Sequence, residues 1–268
     1  MSSMTLNSMT LNLTDSATMV RRSLKRIVRY PSMTLILIAL PIVFLLLFVY
    51  VFGATLGDGL GGASGGRGAY VNFVTPGIIL LAVTSGAQGT AISVAMDLTS
   101  GIIARFRTMP IARTAVLTGH VLGSLLQTVF CVTVVMLVAI GIGFRPTASA
   151  VEWLAVFGVL VMITFALTWL SVALGLVSDS VETASNTPMV LTFLPFLGSG
   201  FVPTDSMPTA LRWFADYQPF TPIMDTLRGL LLDGPIGNSA WLSVGWCAVI
   251  ALLSYLWAKR LFNRRVTV

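Results

Sequence analysis

The sequence predicts an all-α polytopic membrane protein with six transmembrane helices. Of its 268 residues, 56% are hydrophobic and only 10% are charged, whereas a soluble domain carries about 25% charged residues. A helix needs about 20 mostly apolar residues to cross a bilayer, and six stretches of this chain are long enough. These stretches are residues 33–53, 71–96, 114–144, 152–177, 183–202 and 239–261.

The fifth of these stretches is the one most expected to be interrupted. It contains Pro188 and Pro195, followed by Gly198 and Gly200. Proline removes a backbone donor and clashes with the preceding turn, so this helix should be broken. Prolines in the first two stretches should bend those helices.

Basic residues are distributed unequally between the two sides of the membrane. Five precede the first stretch, three lie between the second and third, and four lie at or beyond the end of the sixth, against four on the opposite side. Because basic loops stay cytoplasmic, both termini are predicted inside the cell, in a bacterial cytoplasmic membrane. The charge then lies at a membrane surface, which argues against nucleic acid as a partner. We expect a mobile tail over residues 1–14, one transmembrane domain over 15–262 and a cytoplasmic tail over 263–268.

Residues 20–30 carry apolar side chains at helical spacing, with basic residues on the other faces. This pattern favours an amphipathic helix lying in the membrane interface, and a disordered basic tail is the alternative. The basic residues are Arg21, Arg22, Lys25, Arg26 and Arg29.

Residues 100–110 form a second amphipathic segment, on the cytoplasmic side. Ile102, Ile103, Phe106 and Pro110 recur at spacings of 3, 4 and 7, so they share one side of a short helix. Such a helix suits insertion into a groove of a partner protein. A basic loop that only anchors the topology is the alternative left open by the pattern.

On the outer side, residues 203–235 contain two candidate helices, starting at Pro208 and Pro222. The second should end at the Asp233-Gly234-Pro235 stop signal. Both are too short to span a bilayer, so they either re-enter the outer leaflet or form an ordinary external loop with surface helices.

Several kinds of chemistry are excluded by composition. One histidine, His120, cannot supply an HExxH zinc site, and neither lysine follows a glycine as a phosphate-binding loop requires. We therefore predict no catalytic or metal site and no cofactor bound by this chain. The acidic residues fall at span ends or in loops, which argues against proton coupling. His120, Cys131 and Cys247 are interpreted as packed side chains.

The stretch DLTSGIIARFRTMPIARTAVLTGHVL, residues 97–122, resembles the cytoplasmic loop of type-2 ABC exporter permeases, and most closely that of daunorubicin-resistance-type drug permeases. Residues 198–230 are similar to the same family's segment between the fifth and sixth spans. Ala104 departs from an acidic position of the loop motif, and His120 stands where a basic residue is frequent. The matching positions are Asp97, Gly101, Arg105, Phe106, Arg107, Pro110, Ile111, Ala112, Arg113 and Leu117.

This resemblance implies a membrane permease subunit that exports amphipathic small molecules such as antibiotics. Its implied partners are two copies of a separate ABC ATPase, which carry ATP and magnesium, a second permease copy as homodimer or heterodimer, and membrane lipids. Export of a lipid or lipid-linked polysaccharide, or an immunity factor that transports nothing, are the alternatives. The implied ATPase-coupling residues are Gly101, Ile102, Ile103, Arg105, Phe106, Arg107, Pro110 and Arg113. The outer gate candidates are Phe201, Pro203, Trp213, Phe214, Pro219 and Phe220.

Overall fold

A computed structural model describes residue 29 and residues 31–58, 66–101 and 113–266. Within these ranges every regular element is helical. The α-helices are α1 (Pro31–Leu47), α2 (Gly53–Asp58), α3 (Arg67–Thr99), α4 (Arg113–Ile142), α5 (Ala150–Val177), α6 (Val181–Asn186), α7 (Met189–Phe193), α8 (Thr209–Tyr217), α9 (Phe220–Leu232) and α10 (Ser239–Val266). A π-helix joins α1 to α2 at Phe48–Phe52, and 3₁₀ turns cover Leu194–Leu197 and Thr204–Ser206.

Five helices in the described ranges are long and apolar enough to cross a membrane. They correspond to the first four predicted stretches and the sixth, with ends that differ by a few residues. In lipid a segment must satisfy its own backbone hydrogen bonds, and an α-helix does so. A long apolar run therefore predicts a transmembrane helix. The chain is therefore a multi-pass membrane protein.

The remaining predicted stretch, residues 183–202, is broken into short pieces. It is divided among α6, α7 and the Leu194–Leu197 turn, none longer than six residues. Pro188 occupies the position before α7, and Pro195 lies in the first turn of the 3₁₀ segment. The interruption expected from these prolines is thus present, and no single helix crosses the bilayer here.

Helix α3 lies at the centre of the bundle and packs against α1, α4, α5 and α6. Small residues allow its closest contacts. A Cβ atom built on Gly175 of α5 would lie 2.7 Å from the carbonyl oxygen of Ala91, so the two backbones touch at this point. By contrast, α1 and α10 leave most of their apolar surface uncovered, as expected of helices that face lipid or another subunit.

The described residues form two apolar cores, and the smaller one lies toward the end of the bundle where α3 finishes. The larger core includes Ile78 and Ile79 of α3 and Ile223 of α9. The smaller one packs Val94 of α3 against Val121 of α4, together with side chains from the C-terminal thirds of α5 and α10. We call the end where α3 begins the outer end, and the end where α3 finishes the cytoplasmic end, following the charge distribution.

Two short outer helices are present, as the proline positions predicted. Helix α8 follows Pro208, but α9 begins at Phe220, two residues before the predicted start. The helix begins earlier because Pro219 takes the cap position. Helix α9 ends at Leu232 and is capped by Asp233, whose backbone is left-handed (φ 52°).

The predicted tail over residues 1–14 and most of the predicted interfacial helix lie outside the described residues. Of that helix's basic side chains only Arg29 is described, and it is exposed.

Candidate functional site

Residues 194–232 lie at the outer end of the bundle, and we call them the outer cap. It begins with the Leu194–Leu197 turn, continues through non-helical backbone to residue 203, and then folds into α8 and α9. Helix α9 is buried on nearly all sides, against α3, α5 and α10.

Non-helical backbone leaves carbonyl groups without helical partners, and such groups are costly in an apolar environment. In the outer cap, side chains from other elements donate to two carbonyls of the non-helical backbone and to one at the start of the Leu194–Leu197 turn. These bonds run from Gln218 Nε2 to the Leu194 oxygen (3.2 Å), from Arg228 Nη2 to the Ser199 oxygen (2.6 Å), and from the Tyr70 hydroxyl to the Phe201 oxygen (3.2 Å). The irregular backbone is thus held in place by α3 and by the cap's own residues.

Arg228 is the centre of this arrangement. Its Nη1 donates to Asp225 Oδ1 at 2.8 Å, and the Ser199 hydroxyl donates to the same oxygen at 2.7 Å. The guanidinium carbon lies 4.3 Å from the centroid of the Phe73 ring. The guanidinium of an arginine stays charged. The Arg228 side chain therefore connects α3, α9 and residues 183–202, which we call the broken segment.

Glycine allows the cap to approach α3 at one point. A Cβ on Gly77 would lie 2.8 Å from the Gly200 carbonyl oxygen and 2.9 Å from the Gly200 Cα. Gly200 in turn faces Met224 of α9, whose sulfur would lie 2.8 Å from a Cβ at that position. Three elements therefore meet within van der Waals contact of these two glycines.

The six outer gate candidates do not form one surface. Phe201 and Phe220 are buried in the larger core, and the Phe201 ring stacks on Phe196 at a centroid distance of 4.4 Å. The two prolines, Pro203 and Pro219, are partly buried and precede the Thr204–Ser206 turn and α9 respectively.

The other two candidates, Trp213 and Phe214, are exposed on α8. Trp213 pairs with Tyr217 at 5.2 Å between centroids, so this aromatic surface is separate from the buried rings of the broken segment.

The polar residues that hold the cap were not among the predicted candidates. Arg228 and Asp225 could have been identified from the sequence, because they are two opposite charges three residues apart in an otherwise apolar helix. No such signal marks Gln218 or Tyr70, whose partners are backbone carbonyls distant in sequence.

At the cytoplasmic end, α3 and α4 are joined by a buried polar pair. His120 Nε2 lies 3.2 Å from Asp97 Oδ2, and the Asp97 side chain is almost completely buried. His120 is thus a packed residue, as interpreted from the sequence. Helix α3 ends at Thr99, and two residues later Gly101 has a left-handed backbone (φ 69°) and donates its amide to the Leu98 carbonyl.

Most of the predicted ATPase-coupling residues lie outside the described residues. Gly101 lies two residues after the end of α3, and Arg113 opens α4 without a described side chain. The coupling residues that fall outside are Ile102, Ile103, Arg105, Phe106, Arg107 and Pro110.

Metal-ligating side chains do not cluster in the described ranges: no group of three or more histidine, cysteine or acidic residues could hold an ion there. Cys131 and Cys247 are buried free thiols, as packed residues should be.

Comparison with known proteins agrees with this architecture. Residues 15–232 match the model of the ABC-2 type transporter family. The chain is 28% identical over 238 residues to the daunorubicin resistance ABC transporter permease protein DrrB1 of Streptomyces coeruleorubidus, covering 87% of this chain and 82% of that protein. It is 25% identical over 216 residues to the probable doxorubicin resistance ABC transporter permease protein DrrC of Mycobacterium tuberculosis, covering 79% and 77%. ABC transporter G family member 20 of Dictyostelium discoideum is 25% identical over 194 residues, which is 70% of this chain and 25% of that protein. The chain belongs to the ABC-2 type transporter family.

Proposed function

We propose that this chain is the membrane permease subunit of an exporter for amphipathic small molecules such as antibiotics, and that a separate ATPase drives it. Two relatives that share most of their length with this chain are named for daunorubicin and doxorubicin resistance. The structural observation that supports the proposal is the outer cap, because non-helical backbone at membrane depth is tolerated only where protein or a water-filled cavity surrounds it.

The broken segment counts, in this proposal, as a sixth crossing. Its contacts follow α3 from the Gln88 bond to the Ser185 carbonyl, through the Gly77–Gly200 contact, to the Tyr70 bond with Phe201. Residues 70 to 88 of a helix rise about 27 Å at 1.5 Å per residue, which is close to the thickness of the hydrocarbon core. Six crossings return both termini to one side, and the basic residues favour the cytoplasm of a bacterial cell.

The energy for transport comes from outside this chain. Two ABC ATPase subunits would bind ATP and magnesium, and the segment from Gly101 to Arg113 would contact them. A second permease copy, identical or related, would complete the pathway. Asp97 lies four residues before Gly101 on α3, and His120 lies seven residues after Arg113 on α4, so movement of the segment would reach both helices near the Asp97–His120 pair.

Drug export can be tested in cells that express the chain alone, the ATPase alone, or both. We expect resistance to an anthracycline and its active efflux only when both are present. Protection by the chain alone would instead support an immunity factor, and movement of a fluorescent lipid but no drug would support lipid export.

The coupling segment is tested separately by Phe106→Asp. A carboxylate in place of an apolar side chain should prevent insertion into a groove of the ATPase, so co-purification should be lost while membrane insertion persists. Phe106→Tyr is the matched control, because it keeps the ring. Normal co-purification of the aspartate variant would contradict the assigned coupling role.

A further inference from the structure

Helix α9 is mostly buried, and four of its residues are partly exposed. Three of them, Asp225, Arg228 and Leu232, recur at spacings of three and four residues and form one stripe, and the fourth, Leu230, lies outside this stripe. Ionisable side chains within a membrane bundle face the bundle interior or a water-filled path and mark substrate pathways. Both charges of α9 fall on this stripe, so the stripe is the part of the helix suited to contact a substrate.

The groups on this stripe have the chemistry of an organic-cation site. A ring face and a carboxylate close together bind a cation by the ring's quadrupole and by charge. Here the Phe73 ring lies 4.3 Å from the Arg228 guanidinium carbon, and Asp225 Oδ1 lies 2.8 Å from its Nη1. Arg228 therefore occupies the position that a substrate cation would take.

Two details make Arg228 replaceable. The Asp225 side chain is 36% exposed, so its carboxylate can be reached from outside. The Nε atom of Arg228 is buried and has no hydrogen-bond partner within the described chain. An entering cation thus competes with an arginine that is incompletely satisfied.

Displacement of Arg228 also has a structural consequence. The same guanidinium donates to the Ser199 carbonyl and, at 3.4 Å, to the Phe73 carbonyl. Its release would remove the donor that holds the non-helical backbone at Ser199, so occupation of the site by a ligand would loosen the outer cap.

We propose that Phe73 and Asp225 form a binding site for the cationic group of amphipathic substrates, that Arg228 fills this site while the outer cap is closed, and that a substrate cation displaces it on exit. This inference rests on the proposed export function and specifies the class of substrate.

Equilibrium binding to the purified full-length protein tests the site without the ATPase. The probes are tetraphenylphosphonium, a permanent lipophilic cation, and triphenylphosphine oxide, which is uncharged. Asp225→Asn should weaken binding of the cation by about tenfold or more and leave the uncharged probe unchanged. Arg228→Gln should tighten binding of the cation, because the internal competitor is removed. Phe73→Leu should weaken it, and Asp225→Glu should restore much of the affinity.

Asp216→Asn is the matched control. Asp216 also faces an arginine on a short outer helix, at 3.7 Å from Arg212, so the charge change is the same and cation binding should not change. Inaccessibility of the buried thiols of Cys131 and Cys247 reports that each variant is folded.

The proposal is overturned if Arg228→Gln weakens cation binding as Asp225→Asn does, since the pair would then only support the fold. It is also overturned if both probes respond equally, or if neither the unmodified protein nor Arg228→Gln binds the cation. Drug efflux in cells is measured separately, so failure of this site leaves the export function standing.

Discussion

Replacement of Gly77 by alanine adds one methyl group at the point where α3 meets the outer cap. The new Cβ would lie 2.8 Å from the Gly200 oxygen, 2.9 Å from its Cα and 3.0 Å from its carbonyl carbon. All three are backbone atoms, so no side-chain rotation can relieve the contact, and the broken segment must move away from α3. The same change at Gly200 meets the sulfur and methyl of Met224 first, which can rotate, and should therefore cost less.

The expected change in the free energy of unfolding is the sum of two opposing effects. Overpacking of a tight interior contact costs about 1–3 kcal/mol, and replacing glycine within a helix by alanine returns about 0.5–1 kcal/mol. Gly158 in α5 isolates the second term, because nothing lies within 4 Å of a Cβ built there. Gly77→Ala should thus be about 1–3 kcal/mol less stable than Gly158→Ala, and each kcal/mol shifts the melting midpoint by roughly 2–4 °C in a chain of this size.

The two buried thiols provide the assay. Cys131 and Cys247 are each about 1% exposed, so a thiol-reactive dye should label them only as the bundle opens on heating. We expect Gly77→Ala to be labelled at a lower temperature than the unmodified protein and Gly158→Ala at the same or a higher one. A midpoint for Gly77→Ala at or above that of Gly158→Ala would refute the close backbone contact.

Two further predictions concern polar contacts at opposite ends of α3. His120→Ala removes a polar partner of buried Asp97, and a buried polar group that loses a hydrogen-bond partner is expected to cost about 1–3 kcal/mol. An unchanged thermal midpoint in the same dye assay would argue against the pair. Tyr70→Phe removes the hydroxyl that donates to the Phe201 carbonyl, with a cost of about 1 kcal/mol. Because that carbonyl belongs to the broken segment, protection of nearby amides from hydrogen exchange should fall in residues 198–203 but not in α4, and equal loss in both would contradict the local role of Tyr70.

The long helices could be predicted because lipid imposes a local rule. An apolar run of sufficient length must satisfy its own backbone hydrogen bonds, so residues 152–177, for example, predict nearly the whole of α5. The interruption of the fifth stretch was predictable for a similar reason, since Pro188 and Pro195 act on their own backbone.

The site was predictable only in part. The gate candidates implied by the resemblance lie in different surroundings, since Phe201 is buried against Phe196, whereas Trp213 is exposed on α8. Helical spacing cannot separate these cases, because α8 is amphipathic while the backbone around Phe201 is not helical. The coupling residues from Ile102 to Pro110 stay a prediction, since they fall outside the described residues.

By itself, the sequence determined the membrane class, the positions of the long helices, the expected sidedness and the break before the outer cap, because each depends on composition or on neighbouring residues. The tertiary structure alone decided which groups compensate for that break. The carbonyls of Leu194, Ser199 and Phe201 take donors from Gln218, Arg228 and Tyr70, at separations of 24, 29 and 131 residues. A backbone carbonyl is the same group in every residue, so no pattern in the chain marks which one a distant side chain will reach. Only the packing of the broken segment between α3 and α9 selects these partners.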